Sequence, residues 1–233
     1  MRKAILMMSV LLAIAINVNG QIIYSVKGDS DVNNTVVTTK TQGIAFGPEI
    51  GLNMADMTLK GSNFTQKTSM KAGLAAGIIV DFGFNNHFYL QPGLFYLMNG
   101  CNIKQNATPP SSPSGSFSLN TIQLPVNVLY KLNEPGGSRI FFGLGPYVAY
   151  NISGTSKYGS TSSAITIGDA THDTKPLDYG AGINVGYQFA MGVLVRVHYQ
   201  VGFANLNATS GGTSTTSALG LTVGYFFGCK SCR

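Results

Sequence analysis

The feature that most constrains this chain is a period-two alternation that recurs in eight segments and keeps the strand charges on one parity. In "VLVRVHYQVGF", Val193, Val195, Val197, Tyr199, Val201 and Phe203 share one parity, while Arg196, His198 and Gln200 lie on the other. Alternation over this length, rich in β-branched and aromatic residues, is a strand. The pattern returns in "IAFGPEIGLNM", "KAGLAAGIIVDF", "FYLQPGLFYLM", "TIQLPVNVLYK", "IFFGLGPYVAY", "LDYGAGINVGYQF" and "SALGLTVGYFF". Within these segments Glu49, Lys71, Asp81, Lys131, Asp178 and Arg196 all oppose the apolar parity. A soluble sheet turns its apolar face to a core, and a membrane barrel turns it to lipid. Alternation alone does not separate the two.

Three further observations separate them. Charged residues make up 10% of the chain, against roughly 25% in soluble domains. The polar parity is also crowded with glycine, including Gly47, Gly77, Gly143, Gly186, Gly220 and Gly224. Glycine weakens a strand, so a wet outer face does not favour it, whereas a narrow lumen with little room does. Connection lengths alternate as well. "GFNN", "LNEPGGS" and "AMG" follow the second, fourth and sixth strands, and much longer polar stretches follow the first, third, fifth and seventh. Short periplasmic turns alternating with long outer loops are the outer-membrane pattern. A strand of about 12 residues tilted near 45° crosses the hydrocarbon layer. The expected fold is therefore all-β, an eight-stranded antiparallel up-and-down transmembrane β-barrel. Outward aromatics such as Phe46, Phe88, Tyr130 and Phe142 at the turn side, and Tyr96, Tyr150, Tyr179 and Phe203 at the loop side, make two interfacial girdles.

The N-terminus reads as a secretory signal peptide over 1–20. Arg2 and Lys3 precede an apolar run from Ala4 to Ile16, and Val18 and Gly20 are the small residues before cleavage. Residues 21–43 read as a polar periplasmic leader with "TVVTT" its strand-like patch, 44–228 as the barrel, and 229–233 as a C-terminal tail. The formal charge of +6, two of which are Arg2 and Lys3, is modest and points to no nucleic-acid partner. Cys229 and Cys232, in "CKSC", read as a local disulfide or free thiols rather than a zinc site, because a lone CxxC lacks a second ligand pair. Cys101 falls in what reads as an outer loop.

The strands also resemble a known family. "FYLQPGLFYLMNG", "QLPVNVLYKL", "GLGPYVAY", "DYGAGINVGYQF" and "SALGLTVGYFF" occur in the order, and near the spacing, seen in the PorT-like outer-membrane β-barrels, from Ile44 to Phe227. The resemblance implies an eight-stranded, OmpX/OmpA-like barrel in the bacterial outer membrane. The family's founding member is associated with protein secretion and gliding, and most relatives have no assigned activity. Many barrels end on an aromatic residue read by the outer-membrane assembly machinery, a partner expected here too. In this chain Phe227 is followed by "GCKSCR".

No catalytic set emerges. His172 and Asp173 sit on a polar loop beside many serines, with nothing to fix a nucleophile, and His198 reads as a hydrogen-bonded lumen residue. "GAGINVG" lies within an alternating strand and not at a strand-to-helix turn, so it fails as a dinucleotide fingerprint. The chain reads as no enzyme, with no cofactor or metal. Its expected partners are outer-membrane lipid, the assembly machinery and proteins met by the outer loops. The informative constellation is a structural polar network in the lumen: Glu49, Lys71, Asp81, Lys131, Asp178, Arg196 and His198. Charges in a dry lumen must pair or sit in water, so Arg196 is expected to meet Glu49 or, failing that, Asp81, and to help close the barrel. A narrow channel for ions or small solutes is the alternative, and a membrane hydrolase a more distant one.

Overall fold

The computed structural model describes residues 43–60, 65–66, 68–103, 115–168, 174–207 and 212–227, with three short strands before them. Eight long strands make one antiparallel sheet: β1 (Ile44–Lys60), β2 (Thr68–Gly83), β3 (Phe88–Ile103), β4 (Gly115–Asn133), β5 (Arg139–Tyr158), β6 (Leu177–Gln188), β7 (Val193–Gly202) and β8 (Thr213–Tyr225). Each pairs with its successor, and β8 pairs with β1 from Thr213↔Lys60 to Gly224↔Glu49. The sheet is a closed eight-stranded barrel, so none of these strands presents an open edge along the wall. Ahead of it Ala13–Ile16 pairs with Gln21–Ser25, which pairs with Thr39–Lys40. Thr39 of the expected "TVVTT" patch belongs to this small sheet, whose central strand is "QIIYS"; the rest of the patch lies outside the described residues.

The alternation sets the two faces. Ile50, Leu144 and Ile183 are more than 60% exposed, while Asn53 and Thr222 are fully buried. Such an inside-out distribution suits a hydrocarbon solvent around the wall. At the short-turn end the outward aromatics touch one another: Phe46 lies 5.8 Å from Phe227, Phe88 5.2 Å from Tyr130, and Tyr187 4.8 Å from Phe189. The four-residue connection between β6 and β7 closes at Gly192, whose φ of +94° few other residues adopt and whose N–H donates to Phe189 O at 2.9 Å.

Inside, several glycines lie beside large rings. A Cβ on Gly186 would meet the Phe141 ring at 2.4 Å, one on Gly180 the Tyr147 ring at 2.7 Å, and one on Gly220 the His198 ring at 2.2 Å. The missing side chain is the space that the neighbouring ring occupies. Glycine-for-lumen was thus only half of the reason; the other half is that the inner face carries large apolar side chains. Ile79, Tyr89, Phe95, Leu97, Leu129, Phe141 and Leu194 point inward and pack with Phe226 towards the turn end.

At the loop end the strands outrun their apolar pattern. β4 and β5 reach 19 and 20 residues. Cys101, expected in a loop, is a strand residue registered against Met70 and Phe117 and is fully buried. The pattern hid this because the outward residues there, such as Asn102 and Ser116, are polar, while backbone pairing continues regardless of what the outer face meets. Met57, Cys101, Ile103 and Leu119 pack beneath Ala204 and Leu206. The last two come from the segment after β7, where Leu206 N–H donates to Ser214 O and Leu206 O accepts from Lys175 N–H. An apolar cap thus sits at this end of the barrel.

Candidate functional site

The polar side chains of the lumen form two layers. The layer nearer the turns is charged. Lys131 on β4 pairs with Asp81 on β2, with both side chains almost wholly buried, and its Nζ also donates to Gln188 Oε1 on β6 at 2.8 Å. Gln91 on β3 donates through Nε2 to Asp81 Oδ1 at 2.8 Å and accepts at Oε1 from Arg196 on β7. Arg196 Nη2 stands 3.4 Å from Glu49 Oε2 on β1, and Glu49 Oε1 accepts from the Thr222 hydroxyl on β8. The chain Thr222–Glu49–Arg196–Gln91–Asp81–Lys131–Gln188 therefore spans the lumen and touches seven of the eight strands.

Aromatic rings on the inner parity enclose it. Lys131 Nζ lies 4.4 Å from the Tyr89 ring centroid, and the Arg196 guanidinium carbon lies 5.5 Å from that of Phe141 on β5. Each cation thus has a carboxylate on one side and a π-face on another, so the ammonium and guanidinium gain attraction in a space that admits little water. Arg139, next to the β4–β5 turn, adds Nη1 to the Tyr89 hydroxyl at 2.8 Å.

Two charges expected in this network stand outside it. Lys71 donates to the Ser116 and Ser118 hydroxyls near the loop end. Asp178 accepts from the Thr216 hydroxyl at 2.8 Å through Oδ2. The sequence expectation balanced three anions against three cations; the geometry joins two such pairs. Parity names the face a residue occupies but not its height, and Asp178 lies near the loop-side end of β6, several residues above the paired charges; Lys71 lies at the register shift of β2 between Met70 and Ala75, where it reaches the serine row that includes the outward Ser116. His198 lies inside against Gly220, and His87 lies on a turn, stacked on Tyr130 at 5.6 Å. His172, Asp173, Cys229 and Cys232 fall outside the described residues.

The second layer, towards the loops, is neutral. Asn53 Nδ2 donates to Asn99 Oδ1 at 2.6 Å, Asn99 Nδ2 to Thr121 Oγ1 at 3.3 Å, and Thr121 Oγ1 to Asn151 Oδ1 at 2.8 Å. Gln123 Nε2 donates to Gln200 Oε1 at 3.2 Å. Apart from Gln200, whose face the alternation gave, these residues and the network members Gln91, Gln188 and Thr222 were absent from the sequence expectation, which weighed titratable side chains. The signal was present, because all of them share the charged parity.

Little open space remains between the layers. A cavity of about 30 Å³ is lined by Glu49, Asn184, Arg196, His198 and Gln200 among others, and one of about 10 Å³ lies above it beside Asp178 and Thr216. Arg196 Nε and Asn184 Oδ1 have no hydrogen-bond partner within the protein. They border the larger cavity, whose size admits a water able to accept from one and donate to the other. Among the described residues no three His, Cys, Asp or Glu side chains gather to hold a metal ion.

Comparison with known proteins agrees with this architecture. The sequence pattern of the outer membrane protein beta-barrel domain matches residues 31–208. Among solved structures, Ail, the attachment invasion locus protein of Yersinia pestis, is 12% identical, with 78% of this chain and 98% of that one covered and a TM-score of 0.40. Neisserial surface protein A is 14% identical, with 80% and 100% covered and a TM-score of 0.45. The outer membrane protein OprG from Pseudomonas aeruginosa is 10% identical, with 79% and 94% covered and a TM-score of 0.48. No curated protein sequence matches the chain. With a closed barrel, an outward apolar belt and a pattern match across most of its length, the chain belongs to the outer membrane protein beta-barrel domain family and is a protein of the bacterial outer membrane.

Proposed function

We propose that this is a non-enzymatic, non-conducting outer-membrane barrel, oriented with its short turns in the periplasm, whose work is done by the polar loops outside the cell. The observation that supports this reading is the filled lumen. The ion-paired network crosses it, apolar side chains pack at both ends, and the cavities beside the network measure about 30 and 10 Å³. Spaces of that size hold one or two waters and no hydrated ion in transit. A barrel without a path through it can still anchor a rigid display of loops.

The extended β4–β5 hairpin supports the display role. Its outer end carries the short strand Thr161–Ala164, paired to Thr155–Tyr158 and wholly exposed. Protein partners would meet this region, and assembly would depend on the machinery that inserts barrels. The PorT-like relationship rests on "QLPVNVLYKL" and "GLGPYVAY", which form β4 and β5.

Planar-bilayer recording of the refolded protein tests the reading. The expected record is flat at voltages where an open porin conducts. Steady unitary steps from the wild type would overturn it in favour of a narrow channel.

A further inference from the structure

A large concavity lies on the lipid-facing side of the wall. Two outward rows border it. Tyr130, Phe142, Val185 and Val197 register with one another across β4 to β7 and form the row nearer the turns. Val128, Leu144, Ile183 and Tyr199 form the row above. Between them the in-register residues Gly143, Asn184 and His198 have no outward side chain, so the floor is backbone. Val185 and Val197 are short, while Phe142, Ile183 and Tyr199 around them are long. The result is a groove of about 600 Å³ that runs across strands and has almost no polar surface.

We propose that this groove is a phospholipid site, in which one acyl chain lies across β5, β6 and β7 between the two rows. Three observations commit the groove to an acyl chain. It opens in the apolar belt, where hydrocarbon is the surrounding solvent. It is a slot between side-chain rows with a backbone floor. A flexible methylene chain enters such a slot, whereas a second barrel presents a convex wall of side chains that spans the rim and leaves the floor uncovered. The floor hydrogen bonds are already made within the sheet, so nothing polar there needs a partner. Dispersion contacts on three sides then favour a chain held here over one lying on the flat wall.

The choice of phospholipid rests on the orientation proposed above. The lower row stands three or four residues from the turns. With the turns in the periplasm, that places the groove towards the inner leaflet.

The test uses the full chain refolded into phosphatidylcholine vesicles doped sparsely with a phosphatidylcholine that carries a diazirine on one acyl chain. After photolysis, labelled positions are mapped by mass spectrometry. The expected result is several-fold more label at Ile183, Val185 and Val197 than at Ile50 and Val223, which face lipid on another part of the wall. Val197→Phe fills the groove with another apolar ring, and the heat-dependent gel shift of a folded barrel reports that it still folds. In that variant the excess label falls to the level of Ile50. Even labelling around the belt would overturn the proposal, because it means ordinary boundary lipid. Photocrosslinks between two protein chains, from a diazirine amino acid placed at Val185, would also overturn it by assigning the groove to a second copy. Reversed orientation would show separately, as a tag at Ser163 reached only from the periplasmic side, and would exclude the phospholipid leaflet while leaving the labelling contrast in place.

Discussion

The two halves of the lumen bury polar side chains by different means. Towards the turns, Glu49, Asp81, Lys131 and Arg196 are charged and locked between aromatic rings. Towards the loops, Asn53, Asn99, Thr121 and Asn151 pass neutral hydrogen bonds from strand to strand. Each device holds opposite walls together, but they fail differently. Losing one partner of a charge pair strands a full charge in a confined space, whereas losing one amide strands a dipole. The charged half should therefore be the stiffer and less forgiving, and the neutral half the more tolerant.

The largest effect should come from the ion pairs. Arg196→Ala is expected to destabilise the refolded barrel by about 3–5 kcal/mol, because Glu49 is left uncompensated. Adding Glu49→Ala should return part of that loss, and a double-mutant cycle in reversible lipid folding measures the coupling. Strictly additive losses would break the comparison, since Arg196 and Glu49 would then contribute independently. Next comes the contrast between faces. Val197→Arg places a charge in the apolar belt and should cost roughly 2–4 kcal/mol, with Gln200→Arg on the lumen side milder. Equal losses would reverse the assignment of the two faces.

A smaller effect is expected in the neutral layer. Thr121→Val removes a hydroxyl between Asn99 and Asn151 while keeping its shape, and the cost should be about 1–3 kcal/mol from the buried amides it leaves. A loss as large as that of Arg196→Ala would erase the distinction between the layers. The smallest effect concerns reactivity and not stability. Cys101 is fully buried beneath the apolar cap, and a thiol reacts only where reagent reaches it. In folded protein at pH 8 a maleimide should therefore label Cys101 far more slowly than in urea-unfolded protein. Fast labelling in the fold would show that the cap over the loop end opens readily.

The sequence by itself determined the class of fold and the two faces. A period of two, charges on one parity and alternating connection lengths follow directly from pleat geometry and from a hydrocarbon solvent, so Ile50 and Leu144 could be placed outward without coordinates. Local pattern also put Glu49, Asp81, Lys131 and Arg196 on a common inner face. Height above the turns pointed Arg196 at Glu49 first, and that pair forms. Local pattern could not place the remaining charges, because height within a tilted barrel depends on the register of every strand pair between them. Only tertiary structure decided that Arg196 also reaches Gln91, that Asp81 belongs to Lys131, and that Lys71 and Asp178 sit apart. It also decided what the parity rule concealed: Phe141 and Tyr89 point inward among the charges, and Cys101 belongs to a strand under an apolar cap. Alternation reports the contrast between lipid and interior. Where the interior is itself apolar, or where the outer face leaves the lipid for water, that contrast vanishes, and only packing shows where the strand continues.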